Sequence, residues 1–201
     1  MHIDSVERLR ALYHEPRERA VKKQLAALDE HCLRFIELSP FVVVASSSAA
    51  QGLDASPRGG LPGFVKAIDE RTLLLPDAPG NNRLDSLLNI IATGRVGLFF
   101  MIPGIDETLR VNGAARLSCF EADIEAFSAE KRRPKLVIEV TVEEAYLHCA
   151  KALMRSGLWQ ASSQVSRSLL PTMSRMINSQ TGIEVPDETH EAMLARYAAD
   201  L

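Results

Sequence analysis

Tryptophan occurs once and cysteine three times in this 201-residue chain, and no stretch approaches the roughly 20 consecutive apolar residues of a membrane-crossing helix. Cys32, Cys119 and Cys149 are an odd number at wide spacing, which fits neither a disulfide framework nor a zinc knuckle, so reduced, buried thiols are expected. An excess of charge of either sign is lacking: 23 Lys and Arg against 26 Asp and Glu leave a formal net charge of −3. That balance gives no broad basic face for nucleic acid, although a local pocket for a small anion stays possible. The motifs GxGxxG, HExxH and GxSxG and the Walker loop are all missing. His2, His14, His31, His148 and His190 are scattered, so no metal site is expected. The opening MHIDSVERLR has no apolar run of the secretory type, which leads us to expect a cytoplasmic protein without a membrane segment.

What is present is ordinary globular material, 46% hydrophobic and 24% charged, of a length that suits one domain with a sizeable core. Val21, Leu25, Leu28, Cys32, Phe35 and Leu38 recur at spacings of three and four and predict a helix over 17–38, stopped by Ser39-Pro40. The period then shortens. Strands are predicted at 41–45, 53–57, 64–68, 72–75, 95–102, 108–117 and 135–142, with Asn112-Gly113 marking either a tight turn or a bulge. Helical spacing returns at 82–92, 121–130, 148–155, 165–179 and 186–199. The expected organisation is a helical segment over 1–38, an antiparallel barrel over 39–145 and a helical extension over 146–201. Barrel closure is the expected way for a small sheet to remove its edges.

Three segments carry candidate chemistry. In PGNNRLDSL, residues 79–87, Asn82 and Asp85 stand three apart at a predicted helix start, in the pattern of a capping box. Arg83 in that first turn has the wrong charge for the helix dipole unless a negative ligand, or Asp85, compensates it. In SPRGG, Arg58 in a glycine-rich loop offers either a planar donor fork or a solvated turn residue. HCAKALMRSGLW, residues 148–159, gathers His148, Cys149, Lys151, Arg155, Ser156 and Trp159. No acid is placed there to orient His148 toward Cys149, which argues against a thiol nucleophile. Lys151 and Arg155 share a helical face, and on local evidence Trp159 is core.

Taken in order, SPRGGLPGFV, LPDAPGNNRLDSLLNI, RVGLFFMIPG, ETLRVNGAARLS and HCAKALMRSGLW resemble a subgroup of the pyridoxamine 5′-phosphate oxidase-like flavoproteins, FMN-dependent enzymes of unassigned substrate. The resemblance implies a mainly β fold with flanking helices, the FMN-binding split β-barrel, and a homodimer with FMN at the subunit interface. The amphipathic helices at both ends, with more apolar surface than a small barrel needs, agree with burial against a partner. By the same resemblance Asn81, Asn82 and Arg83 grip the FMN phosphate, and Ser56, Arg58 and Leu75 lie alongside the flavin. Thr108 and Arg110 face it from the same or the other subunit, and Lys151, Ser156 and Trp159 approach the flavin or substrate. Two departures stand out. Gly60 occupies a position where the subgroup leads us to expect an acid, and the arginine-rich C-terminal signature that grips pyridoxamine phosphate is not evident. An FMN-dependent oxidoreductase of another substrate is therefore implied, the alternative being a non-catalytic flavin or haem carrier or sensor.

Overall fold

A helical preface, seven strands and a run of short helices follow one another in the computed structural model, which describes residues 2–198. They belong to two units, one ending at Ser156 and one beginning at Gly157. The first unit opens with α1 (Val6–Arg10), α2 (Glu18–Lys22) and α3 (Glu30–Leu38), then makes β1 (Phe41–Ser48), β2 (Gly52–Gly59), β3 (Lys66–Ala67) and β4 (Thr72–Pro76). Helix α4 (Asp85–Thr93) leads to β5 (Arg95–Met101) and β6 (Thr108–Ser118), α5 (Glu121–Glu125) leads to β7 (Val137–His148), and α6 (Lys151–Ser156) ends the unit. The strands form one antiparallel sheet in the order β2-β1-β5-β6-β7-β4-β3, a mainly β fold with flanking helices of the split-barrel kind.

Alternation decides which side of the sheet is inside. Val42, Val44 and Ser46 of β1 are buried, while Phe41, Val43 and Ala45 face outward. Residues paired directly across antiparallel strands share a face, so Phe100 and Leu98 on β5 and Leu109 and Val111 on β6 continue the buried side. Leu73 and Leu75 of β4 and Ile138 and Val140 of β7 complete the main core, and Leu28, Cys32, Phe35 and Ile36 cover one part of it. A smaller cluster, Leu74, Ile124, Phe127 and Val137, lies under α5.

Several local expectations change, each for a physical reason. The helix expected over 17–38 is broken, because residues 23–28 leave the helix for pairings elsewhere: Leu25 exchanges two backbone hydrogen bonds of 2.9 Å with Ala145, and Leu28 donates to Glu70 O at 2.8 Å. Asp29 then caps α3 by accepting from the Cys32 amide at 2.8 Å. Asn112-Gly113 is a bulge inside β6/β7 and not a turn; Asn112 pairs with Glu144 and Gly113 with Val142, leaving Glu143 as the extra residue. The strand expected over 135–142 therefore continues to His148, and the helix expected from 148 starts at Lys151. The strand expected over 64–68 shrinks to Lys66–Ala67, and the helix expected over 121–130 stops at Glu125. Of the three thiols, only Cys32 is buried, and burial pushes it up to about 11; Cys119 and Cys149 are exposed.

The second unit contains two short 3-10 turns, Ala161–Ser163 and Arg167–Leu169, then α7 (Met173–Thr181) and α8 (His190–Tyr197). Thr172 and Thr189 cap the two helices, and Gly182, at φ 69°, closes α7. The last position of the helix expected over 186–199 lies outside the described residues. Among the described residues of this unit none is buried, and among those of the whole chain no helix is long and apolar enough to cross a membrane.

Candidate functional site

Period two on β2 sets Asp54, Ser56 and Arg58 on one face, paired with Ser46, Val44 and Val42, so these polar side chains line the edge of the inner side of the sheet. All three are half-buried, whereas Leu53, Ala55 and Pro57 on the opposite face are exposed. Arg58 Nη1 donates to Ser56 Oγ and to the carbonyl of Pro57, the latter at 3.1 Å. At the other end of the strand Ser86 Oγ donates to the Asp54 carboxylate at 2.5 Å. Asn89, fully buried, donates to Ser46 Oγ at 3.2 Å and to Gly52 O at 3.3 Å. These bonds pin the first turns of α4 to the Asp54 end of β2. Arg58 meanwhile acts electrostatically on Asp77, the first residue after β4. The segment from 77 to 86 leads from the end of β4 to the start of α4, where Ser86 meets the Asp54 end of β2, and it carries Asn81, Asn82 and Arg83.

The capping box expected at Asn82 and Asp85 is not formed. Asn82 (φ 59°) and Leu84 (φ 63°) both have left-handed backbones, α4 begins at Asp85, and its capping position, Leu84, makes no side-chain cap bond. A left-handed leucine stores about 1–2 kcal/mol of local strain. Arg83 therefore stands just outside the helix, with its amide bonded to Asn81 Oδ1 at 3.1 Å and its Nε to Asp85 at 2.9 Å. Asp85, in the first turn, suits the dipole. The missing cap leaves first-turn N–H groups open to an external acceptor beside a guanidinium whose side chain is 73% exposed. Leu75 is fully buried, so only its backbone is available to a ligand. Gly60 is explained by packing: a Cβ there would lie 2.7 Å from Phe64 Cβ, so an aspartate does not fit unless Phe64 moves.

Arg110 lies on the other side of the sheet. It shares the outward face with Val43, Phe99 and Tyr146, one from each of β1, β5 and β7. Arg110 Nη2 donates to Glu144 at 2.8 Å, and its guanidinium stacks 4.2 Å from the centre of the Tyr146 ring. Asn112 and Gln24 also donate to Glu144, at 3.2 and 2.9 Å. Lys23 Nζ donates to Leu147 O at 2.8 Å and lies 5.1 Å from the Tyr146 ring centre. Thr108 is buried and pairs with His148, whose ring packs 4.7 Å from Tyr146. Burial, then the charges of Arg110 and Lys23, hold His148 below the usual histidine range.

The structure thus sets Ser56 and Arg58 on the inner face of edge strand β2, ties the start of α4, which follows the 81–83 segment, to the Asp54 end of that strand, and sets Arg110 on the opposite face of the sheet. Lys151 is exposed at the start of α6, Ser156 Oγ bonds to Leu153 O at 2.9 Å, and half-buried Trp159 belongs to the second unit. Sequence reasoning overlooked Asp54, Asp77, Glu144 and Tyr146. The spacing of Asp54, Ser56 and Arg58 is a period-two signal that could have singled out the first; the others depend on pairings across the sheet.

A comparison with curated proteins finds no match. Among solved structures, HupZ of Group A Streptococcus is similar at 17% identity, covering 60% of this chain and 98% of its own, with a TM-score of 0.50. A Lactobacillus delbrueckii protein provisionally assigned as a pyridoxamine 5′-phosphate oxidase is 19% identical over 62% of this chain and 98% of its own, TM-score 0.48. An FMN-binding protein of Syntrophomonas wolfei is 10% identical over 60% of this chain and 88% of its own, TM-score 0.43. Residues 28–149, from just before α3 through the end of β7, match the family model of pyridoxamine 5′-phosphate oxidase, and the chain belongs to that family.

Proposed function

We propose that the chain binds FMN and uses it to oxidise or reduce a small molecule other than pyridoxamine phosphate. The observation that carries the reading is the uncapped start of α4 behind Arg83, tied through Ser86 to the strand that carries Ser56 and Arg58, in a member of this family. The donor set fits a flavin phosphate: a guanidinium, a hydroxyl and backbone N–H groups at one edge of the sheet. Arg110, on the far face, supports a flavin shared between two copies, with Arg83 and Arg58 from one and Arg110 from the other. Bound FMN would supply the electron or hydride chemistry. The chain's own residues hold the phosphate, orient the ring and keep cationic charge beside it; Arg58 is the group nearest to that last task.

The purified protein is expected to be yellow, with a two-banded flavin spectrum, and to release a ligand of the mass of FMN. Arg83→Ala removes charge-assisted hydrogen bonds worth about 1.5–3 kcal/mol, so FMN affinity should fall about 10- to 100-fold. A variant that retains native affinity would remove the phosphate assignment. Steady nicotinamide-cofactor oxidation above the rate of free flavin separates an enzyme from a carrier.

A further inference from the structure

Arg110 is a half-buried cation whose placement is set by its neighbours. On the outward face it stands between Phe99 of β5 and Tyr146 of β7, with Val43 beyond Phe99, so its own row offers two rings and a valine and no carboxylate. Its one side-chain hydrogen bond among the described residues goes to Glu144 in the next outward row, at 2.8 Å, and its Nε is buried without a partner. Two contacts therefore fix the planar fork: the bond at Nη2 and the face of the Tyr146 ring, 4.2 Å from the guanidinium.

Glu144 is held at both oxygens. Oε1 accepts from Arg110 and, at 3.2 Å, from Asn112, and Oε2 accepts from Gln24 at 2.9 Å. Neither Glu144 nor Tyr146 would face outward if β7 kept its phase past Val142; the extra residue, Glu143, reverses it. Bulges of this kind give up ladder pairing to re-aim side chains. Here the two side chains re-aimed are the two that bond and stack with Arg110. An ion pair this open to solvent contributes little to stability, so stability alone does not account for a bulge, a triply bonded acid and a ring gathered on one arginine.

We propose that Glu144 and Tyr146 are positioning residues, turned outward by the bulge to hold the Arg110 guanidinium in one placement before the flavin of a partner copy arrives. Glu144 bonds one edge of the fork and Tyr146 covers one face. That leaves Nη1, which has no hydrogen bond among the described residues, for an acceptor oxygen on the ligand. The rotamer freedom of the arginine is then given up on folding and not on binding. This role for Glu144 and Tyr146 rests on Arg110 contacting the flavin, and one set of titrations separates the two.

FMN is titrated into the full-length native protein and its variants, with quenching of flavin fluorescence reporting affinity. Arg110→Ala should weaken binding about 10- to 100-fold. Glu144→Ala should weaken it about 10-fold, because the ligand must then order the arginine itself. Glu144→Gln, which keeps an acceptor oxygen, should recover most of that loss. In the Arg110→Ala background, Glu144→Ala should have no further effect. If Glu144→Ala fails to fold, Tyr146→Leu gives the same comparison, with a loss that also vanishes when Arg110 is absent. A loss that persists in the Arg110→Ala background, native affinity in Glu144→Ala, or no recovery in Glu144→Gln overturns the positioning role and leaves the flavin reading standing. Native affinity in Arg110→Ala removes Arg110 from the flavin, and failure of the native protein to bind FMN overturns the flavin reading; the positioning role falls in either case.

Discussion

His148 shows how one residue inherits its properties from three elements. It ends β7, packs on Tyr146 two positions earlier, faces Phe99 of β5 at 5.8 Å, and sits within reach of Arg110 on β6 and Lys23 from the N-terminal stretch. Partial burial and those two cations disfavour its charged form in the folded state. The unfolded chain restores an ordinary histidine, so near and below the usual value of about 6.5 the unfolded state binds more protons. Stability is then full above that value and declines as pH falls toward the lowered folded value. The urea midpoint of native protein should fall between pH 7.5 and 5.5, and His148→Gln should lose part of that decline. Equal declines in the two proteins would show that His148 carries none of the acid sensitivity. Arg83 and Asp85 obey the same local logic. A cation that reads as misplaced in a helix turn is found just before it, bonded to the acid that suits the turn.

At the scale of elements, the bulge at Asn112/Gly113 governs both the sheet and what could be read from the chain. Ile138, Val140 and Val142 face inward before the extra residue Glu143, and Ala145 and Leu147 face inward after it. This change of phase is why alternation predicts a strand that stops at Val142. The same single-residue shift turns Glu144 and Tyr146 outward, to meet Arg110. Most of β1, β4 and β5 was legible as short apolar runs and β6 as an alternation, and the hairpin at Gly52, with β2 beyond it, follows from its turn residues. The 17–38 region misled for the opposite reason: Leu25 and Leu28 keep helical spacing by coincidence, while the backbone of Leu25 pairs with Ala145. No local signal announces such a partner some 120 residues away. The 79–87 segment was legible as a candidate anion site, but not the left-handed Asn82 and Leu84 that leave the start of α4 uncapped. Gly113 is the element's weak point, since a Cβ there would lie 2.0 Å from Thr141 O. Gly113→Ala must push β6 and β7 apart and should cost about 1–3 kcal/mol or more, lowering the thermal midpoint by several degrees. An unchanged midpoint would mean that the bulge can relax without loss.

At the scale of the whole molecule, the proposed flavin site poses a geometric question. Ser56 and Arg58 share a face with Val42 and Val44, whereas Arg110 shares the opposite face with Val43 and Phe99. A ligand of flavin size lying at the β2 edge cannot also reach through a packed sheet whose interior is closed by Leu98, Phe100 and Leu109. If both sets serve one flavin, Arg110 must come from a second copy, and a two-fold pair of chains then makes two equivalent sites. Co-expression of differently tagged Arg83→Ala and Arg110→Ala chains tests this directly. Each variant alone breaks both sites of its homodimer and should purify poor in flavin. In the mixed dimer, one site combines the two defects, while the other takes intact Arg83 from one chain and intact Arg110 from its partner. The mixed species should therefore recover about half of native flavin occupancy, read from absorbance per chain. If Arg83 and Arg110 served the same flavin within one chain, every site of the mixed dimer would carry one defect, and it would be as pale as its parents.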